Sequence, residues 1–320
     1  MDFAFIKDRI KSYWAQSIPI AKRYHAPTLF FFLDRMWCRI VYRIGQADYD
    51  YFGFCRFNHF ERKNLFNDGK FEKSCKMFFP NDMIAVLDSK KAFVQNFQEY
   101  IHRDYLLLPC NEDTLLCFAK KHEVIFAKAD ISCGGKGVHS YSYCELFANR
   151  ALLSKIADMD GVAEQRIVQH PAMEALQATA VSTLRITTLV EKNENINIMS
   201  SGLRLGARGA GVDNQSSGGS VYEVDLAEGI VVGYGKTQNN QKSIKSPTGA
   251  VVPGFQIPFW SEVLAMVESA AKKYPRARFV GWDVAIGPDG PLLVEANRST
   301  GASVMQFGDY GCWNYLKSQR

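Results

Sequence analysis

The eight cysteines of this chain include no C-x-x-C pair, and none clusters with the six histidines. That spacing argues against structural zinc and a disulfide framework, and reduced thiols in a cytoplasmic protein are the expectation. Long hydrophobic runs are missing too: the longest, LFFFL from Leu29 to Leu33, is far too short to cross a bilayer. Met1 to Ile10 mixes Asp2, Lys7, Asp8 and Arg9 with its apolar residues, so no cleavable signal is expected. There is no nucleic-acid reader motif, which speaks against a nucleic-acid partner. No G-x-x-x-x-G-K-[ST] loop and no serine or cysteine elbow is present.

What is there reads as globular. With 320 residues, 47% hydrophobic and 22% charged, the chain has material for two or three subdomains. The net charge of +5 is uneven: residues 1–80 carry 14 basic against 8 acidic residues, or +6, leaving −1 for the remainder. A basic, aromatic-rich front end has two readings, a face for an anionic surface or the solvated side of helices.

One stretch combines buried-strand character with fixed negative charge: FVGWDVAIGPDGPLLVEANRS, Phe279 to Ser299. It reads as a β-hairpin around Gly-Pro-Asp-Gly. A three-residue connection, Pro288 to Gly290, pairs position 287 with 291 and sets Asp283 opposite Glu295, with Asn297 on the same face. A two-residue turn would send Glu295 to the other face. Facing carboxylates repel unless a proton or a cation lies between them, and carboxylate, carboxylate and amide carbonyl make an all-oxygen set suited to Mg²⁺. The alternative is a pair of solvated edge-strand charges.

Along the chain, residues 3–24 read as a helix with Phe3, Ile6, Ile10 and Trp14 on one stripe, interrupted near Pro19. A second helix, Leu29 to Ile44, carries Arg35, Arg39 and Arg43 as a basic ridge, for a membrane surface or simply for solvent. Residues 49–79 are aromatic and basic without a clear period, and read as short helices closing over a larger body. Lys90 to Tyr100 is helical, capped by Asp88 or Ser89. Then come a strand Val124 to Ala129, a glycine loop Ile131 to Val138, a helix Cys144 to Asp158 and a strand Ala163 to Gln169. Strands follow at 181–190, 195–205, 220–225 and 230–234, a helix at Trp260 to Lys273, and a packed tail from 300 to 320. A glycine-loop lid facing an acidic wall makes a cleft.

Within that cleft, Lys128 in the first lid strand and Lys136 in Gly134-Gly135-Lys136-Gly137 offer positive charge and close backbone approach to phosphate. Arg185 sits in a strand otherwise built of small and branched residues, Arg204 poses the same problem in the next strand, and each needs a counter-ion: an acidic hairpin residue, a nucleotide phosphate or an acyl phosphate. Residues 206–219, GARGAGVDNQSSGG, read as a loop at the cleft mouth, bringing Arg208, Asp213 and Asn214 towards an acceptor.

Taken in order, GGKGV, EQRIVQHP, STLRITTLV, SGLRLG with VDNQSSGG, and WDVAIGPDGPLLVEAN resemble the ATP-grasp superfamily, in its sugar-transfer-associated, glutamate-ligase-related branch, from about Leu87 to Gln306. The resemblance implies an α+β ATP-grasp fold with a nucleotide cleft between two sheet-bearing subdomains: a helical N-terminal region 1–86, a lid 87–170, a core 171–306 and a tail 307–320. It implies that Lys90, Lys128, Gly134 to Gly137 and Gln165, Arg166 and Ile167 bind ATP. It also implies that Arg185, Arg204 and Lys136 act in catalysis and that Asp283, Glu295 and Asn297 hold Mg²⁺. His170 is expected as a cap or a supporting residue. The implied reaction is ATP-dependent ligation of a small carboxylate to an amine through an acyl phosphate, with an amino acid and a sugar acid of a cell-surface polysaccharide as the finer expectation. Phosphorylation of a hydroxyl is the rival, and a nucleotide-binding scaffold the rival of another class. A homodimer and a peripheral membrane or glycosyltransferase association complete the expected partners.

Overall fold

The computed structural model describes residues 3–132, 137–207, 218–298, 301–307 and 311–320, without the side chains of 3–6 and 81. Six helices come first: α1 (Phe3–Arg23), α2 (Thr28–Tyr42), α3 (Gln46–Tyr51), α4 (His59–Asn64), α5 (Asp68–Phe78) and α6 (Asn81–Asp88). Pro19 does not end α1. It lies on an exposed side together with Ala15, whose carbonyl loses its helical donor where water can replace it. The expected stripe is also rotated: Ile10 and Trp14 are exposed, whereas Tyr13, Ser17, Ile20 and Ala21 are buried. The reason is Arg35, which is not on a solvated ridge with Arg39 and Arg43. Its guanidinium is buried and donates to the carbonyl of Tyr13 (3.1 Å), Ser17 Oγ (3.2 Å), Gln16 Oε1 (2.7 Å) and the carbonyl of Gln46 (3.0 Å). A buried cation with four acceptors outranks the larger apolar stripe in choosing the face.

After α7 (Lys90–Asn96) and α8 (Gln98–Ile101), which divide the single helix expected from 90 to 100, the chain enters a small antiparallel sheet. Its strands β1 (Tyr105–Leu108), β2 (Val124–Ala129), β3 (Val138–Ser142) and β4 (Gly161–Gln165) run in the order β1-β4-β2-β3. Helices α9 (Glu112–His122), α10 (Tyr143–Ala148) and α11 (Arg150–Ala157) connect them and close an apolar core around Leu115, Ile125, Leu146, Leu153 and Ile156. Strand β4 ends four residues before the expected Gln169, and the backbone from 166 to 170 is irregular. His170 then caps α12 (Pro171–Leu176), its Nδ1 accepting from the N–H of Ala172 at 3.2 Å.

The large sheet holds β5 (Thr183–Val190), β6 (Ile196–Leu205), β7 (Ser220–Val224), β8 (Val231–Thr237), β9 (Lys242–Ser243), β10 (Phe279–Gly287) and β11 (Gly290–Asn297), in the order β11-β10-β5-β6-β7-β8-β9. On one face Leu184, Ile186, Trp282 and Val284 pack with Val263, Val267 and Ala270 of α13 (Trp260–Lys273). The two-residue period sends Arg185 and Asp283 to the other face. At one end of that face the N-terminal region closes on the sheet: Phe66 and Phe78 meet Phe279 at ring distances of 6.3 and 5.8 Å. The tail adds α14 (Ala302–Met305) and α15 (Trp313–Ser318), with Trp313 against Phe66 at 6.4 Å.

The hairpin turn corrects the expected connection. Gly287 pairs with Gly290, so Pro288 and Asp289 alone make the turn, and Val284 faces Leu293. Left undisturbed, that register would place Asp283 opposite Val294. A β-bulge lies between Asp283 and Val284, Val294 is passed over, and Asp283 pairs with Glu295 after all.

Candidate functional site

Four neighbouring strands build the charged centre. Asp283 pairs with Glu295 on one side and with Arg185 on the other, and Arg185 pairs with Gly202, two residues from Arg204 on the same face of β6. Asp283 is buried and receives the Nε and Nη2 of Arg185, the latter at 2.9 Å, and the Nη1 of Arg204 at 3.0 Å. Burial alone would raise its pKa, but the two guanidiniums hold it at about 2. The counter-ion that both arginines require is thus Asp283. Glu295 goes the other way: burial and the charge of Asp283 raise its pKa. The Nδ2 of Asn297 donates to Glu295 Oε1 at 3.0 Å and reaches Asp283 Oδ2 at 3.4 Å.

Opposite stand the lysines. Lys128 Nζ lies 2.6 Å from Glu164 Oε2, on the buried end of β4. Lys90, the first residue of α7, donates to the carbonyls of Asp130 (3.2 Å) and Ser132 (2.9 Å) and to Ser132 Oγ (3.0 Å). Burial lowers its pKa, the charge of Glu295 opposes that shift, and Lys128 adds to it. Lys90 therefore stands in electrostatic reach of both the lid lysine and the hairpin carboxylate. Gly137 closes the glycine loop with φ of 78°, a conformation that favours glycine. Cys133 to Lys136, including Gly134, Gly135 and Lys136, lie outside the described residues, as do Arg208, Asp213 and Asn214.

Gln165, Arg166 and Ile167 are not at this centre. They line a cavity of about 510 Å³ with Tyr100, Arg103 and the hairpin turn, and none of Asp283, Glu295, Lys90 or Lys128 borders it. Alternation along β4 turns Glu164 towards Lys128 and Gln165 away from it, and Arg166 and Ile167 lie beyond the end of the strand.

Two residues escaped the sequence reading. Glu164 is a buried carboxylate that follows the small and apolar run Gly161 to Ala163, a charge inside a strand like that which singled out Arg185 in β5. Its partner Arg103 follows α8 and bridges the two sheets. Arg103 Nε lies 2.9 Å from Glu164, Nη1 donates to the carbonyl of Leu293 at 2.6 Å, and Nη2 reaches that of Val294 at 3.4 Å, where the hairpin bulges. Burial would raise the pKa of Glu164, but Arg103 and Lys128 bring it down to about 2. No local pattern in the sequence points Arg103 at backbone carbonyls some 190 residues away.

The donor set at the centre fits a hard divalent cation. Asp283 and Glu295 face each other in a buried setting where the charge of one opposes ionisation of the other, and a cation between them would relieve that conflict. Among the described residues no group of three or more His, Cys, Asp or Glu assembles, so the amide oxygen of Asn297 is the third ligand the hairpin offers. Presenting it requires the amide to rotate from the orientation in which its nitrogen faces the carboxylates.

Basic residues beside the small sheet and buried carboxylates and arginines on the large one thus lie on two neighbouring antiparallel sheets. The family described as sugar-transfer associated ATP-grasp matches residues 136–318, more than half of the chain, and the chain belongs to that family. It is accordingly an ATP-grasp-type protein. No curated protein matches it. Among solved structures it is similar to the ATP-grasp ligase PsnB complexed with minimal precursor, Mg and ADP (10% identity, 76% of this chain and 61% of that chain, TM-score 0.47). It is also similar to D-alanyl-alanine synthetase A from Vibrio cholerae O1 biovar eltor (11% identity, 73% and 65%, TM-score 0.43). A third is purK, an N5-carboxyaminoimidazole ribonucleotide synthetase, in its ADP complex (8% identity, 69% and 47%, TM-score 0.44). The chain thus spans about three fifths of the length of the PsnB chain.

Proposed function

We propose that the protein joins a small carboxylic acid to an amine at the expense of ATP, through an acyl phosphate. A sugar acid of a cell-surface polysaccharide and an amino acid are the substrate pair we favour. The observation that carries the ligase reading is the convergence of Arg185 and Arg204 on the face that also bears Asp283 and Glu295. Two guanidiniums suit an anionic acceptor and the charge that grows on a transferring phosphoryl group. A carboxylate oxygen of the acid attacks the γ-phosphorus and ADP leaves with the electron pair of the broken P–O bond. The amine then attacks the acyl carbon, phosphate departs, and the nitrogen gives up a proton.

Arg185 and Arg204 would hold the attacking carboxylate and the acyl phosphate, while Lys128 and Lys90 hold nucleotide phosphates from the lid side. Asp283, Glu295 and Asn297 would hold magnesium, which when bound neutralises phosphate oxygens. Asp283 is engaged by both arginines, which disfavours its use as the base of a phosphotransferase. The test measures ADP and free phosphate separately with pooled carboxylates and amines, then substitutes hydroxylamine for the amine. Carboxylate-dependent ADP with a trapped hydroxamate is the expected result. A phosphorylated hydroxyl product without free phosphate would overturn the ligase reading.

A further inference from the structure

Helix α2 is apolar on two opposite faces. Phe31, Cys38 and Tyr42 are buried beneath it, while Leu29, Leu33, Trp37 and Ile40 stand 54%, 57%, 57% and 73% exposed on the far side. A helix that is hydrophobic all round is one that is covered all round where it works. Helix α1 extends the same surface with Ile10, Trp14 and Ile18, exposed at four-residue spacing. The ring of Trp14 meets Phe32 edge to face at 5.5 Å and joins the two stripes. An apolar surface spread over two packed helices is far more than the scattered exposed residues of an ordinary monomer.

The charge around it is mostly positive. Lys7, Lys11, Lys22, Arg39 and Arg43 are exposed on or beside these helices. Their acidic residues are Asp8 and Asp34, and Asp34 is occupied by Arg62 at 2.6 Å. A second copy docked here by two-fold symmetry would set this positive surface against itself. An anionic lipid surface meets both features at once, its acyl boundary taking the apolar stripe and its phosphates the basic flank. Indole rings at Trp14 and Trp37 suit that boundary. Among the described residues no helix is long and apolar enough to cross a membrane, so the contact would be with the surface.

We propose that α1 and α2 seat the enzyme on the face of an anionic bilayer. This surface contributes no residue to the charged centre, so the proposal stands or falls apart from the ligase reading. The experiment sediments the full chain with vesicles of phosphatidylcholine alone or mixed with phosphatidylglycerol. Partitioning at least about tenfold stronger onto the anionic vesicles is expected, and Lys7→Glu with Lys11→Glu should remove at least about tenfold of it. Leu33→Glu with Trp37→Glu should abolish partitioning while ADP affinity stays unchanged. In the wild-type chain, brominated phosphatidylglycerol should quench tryptophan fluorescence, because Trp14 and Trp37 are exposed whereas Trp260, Trp282 and Trp313 are buried. Equal partitioning onto both vesicle types would overturn the proposal, as would no partitioning without quenching, or a dimer in solution that Leu33→Glu with Trp37→Glu dissolves.

Discussion

Replacing Glu164 by Gln removes the one carboxylate that faces both Arg103 and Lys128 while keeping its shape. The side chains of Glu164 and Arg103 are 4% and 3% exposed and that of Lys128 14%, so the stranded cations have little water to turn to. Breaking a buried ion pair by removing one partner costs about 3–5 kcal/mol. The lowered pKa of Glu164, from 4.5 to about 2, points the same way and is of the same order, roughly 3 kcal/mol. The sign follows from the direction. A depressed carboxylate stabilises the fold fully above its unfolded pKa and ceases to do so as pH falls through the folded one. Denaturant unfolding of wild type and Glu164→Gln at a series of pH values is the assay. The gap between them should be about 3–5 kcal/mol near neutrality and should close between about pH 4.5 and pH 2. A gap below about 1 kcal/mol, or one that does not change with acid, would refute the account of this ion pair.

Further outcomes follow from the same geometry. Asp283→Asn removes a buried carboxylate that two arginines hold and should cost about 3–5 kcal/mol of stability, whereas Glu295→Gln imitates a carboxyl whose pKa is already raised and should cost less than about 1 kcal/mol without metal. Matched thermal unfolding in chelator checks the order. Gly161→Ala would drive a Cβ to 2.0 Å from the carbonyl oxygen of Lys128, a backbone atom that cannot swing aside, so a loss of about 2 kcal/mol or more is expected in the same assay. Arg103→Met should loosen the bulged strand beneath Glu295 and weaken magnesium-dependent ADP binding about tenfold or more, as read by calorimetry. Unchanged binding would mean that Arg103 serves stability alone.

The large sheet and α13 were legible for different reasons: the sheet's strands are runs of apolar and branched residues between glycine-rich joints, and Trp260 to Lys273 carries an uninterrupted apolar stripe. The pairing of Asp283 with Glu295 was expected from a three-residue connection and arises from a two-residue turn compensated by a bulge. Sequence fixes a face by counting, and a bulge changes the count without a mark of its own. Strand β3, VHSYS, is partly exposed and polar, so no alternation set it apart from the preceding glycine loop. In α1 and α2 the apolar count pointed outwards, because a buried arginine and serine took the inner face and left the larger stripe exposed. Arg103 was hidden for another reason: its partners are carbonyl groups, which every sequence has everywhere.

The metal seat proposed for the hairpin can be tested most directly by titrating ADP into the protein with and without Mg²⁺, for wild type and for Glu295→Gln. Magnesium should tighten ADP binding to the wild-type chain, and that gain should vanish in the variant while its metal-free affinity stays the same. A Glu295→Gln chain that keeps the full magnesium-dependent gain would contradict the assignment of the facing carboxylates to the metal.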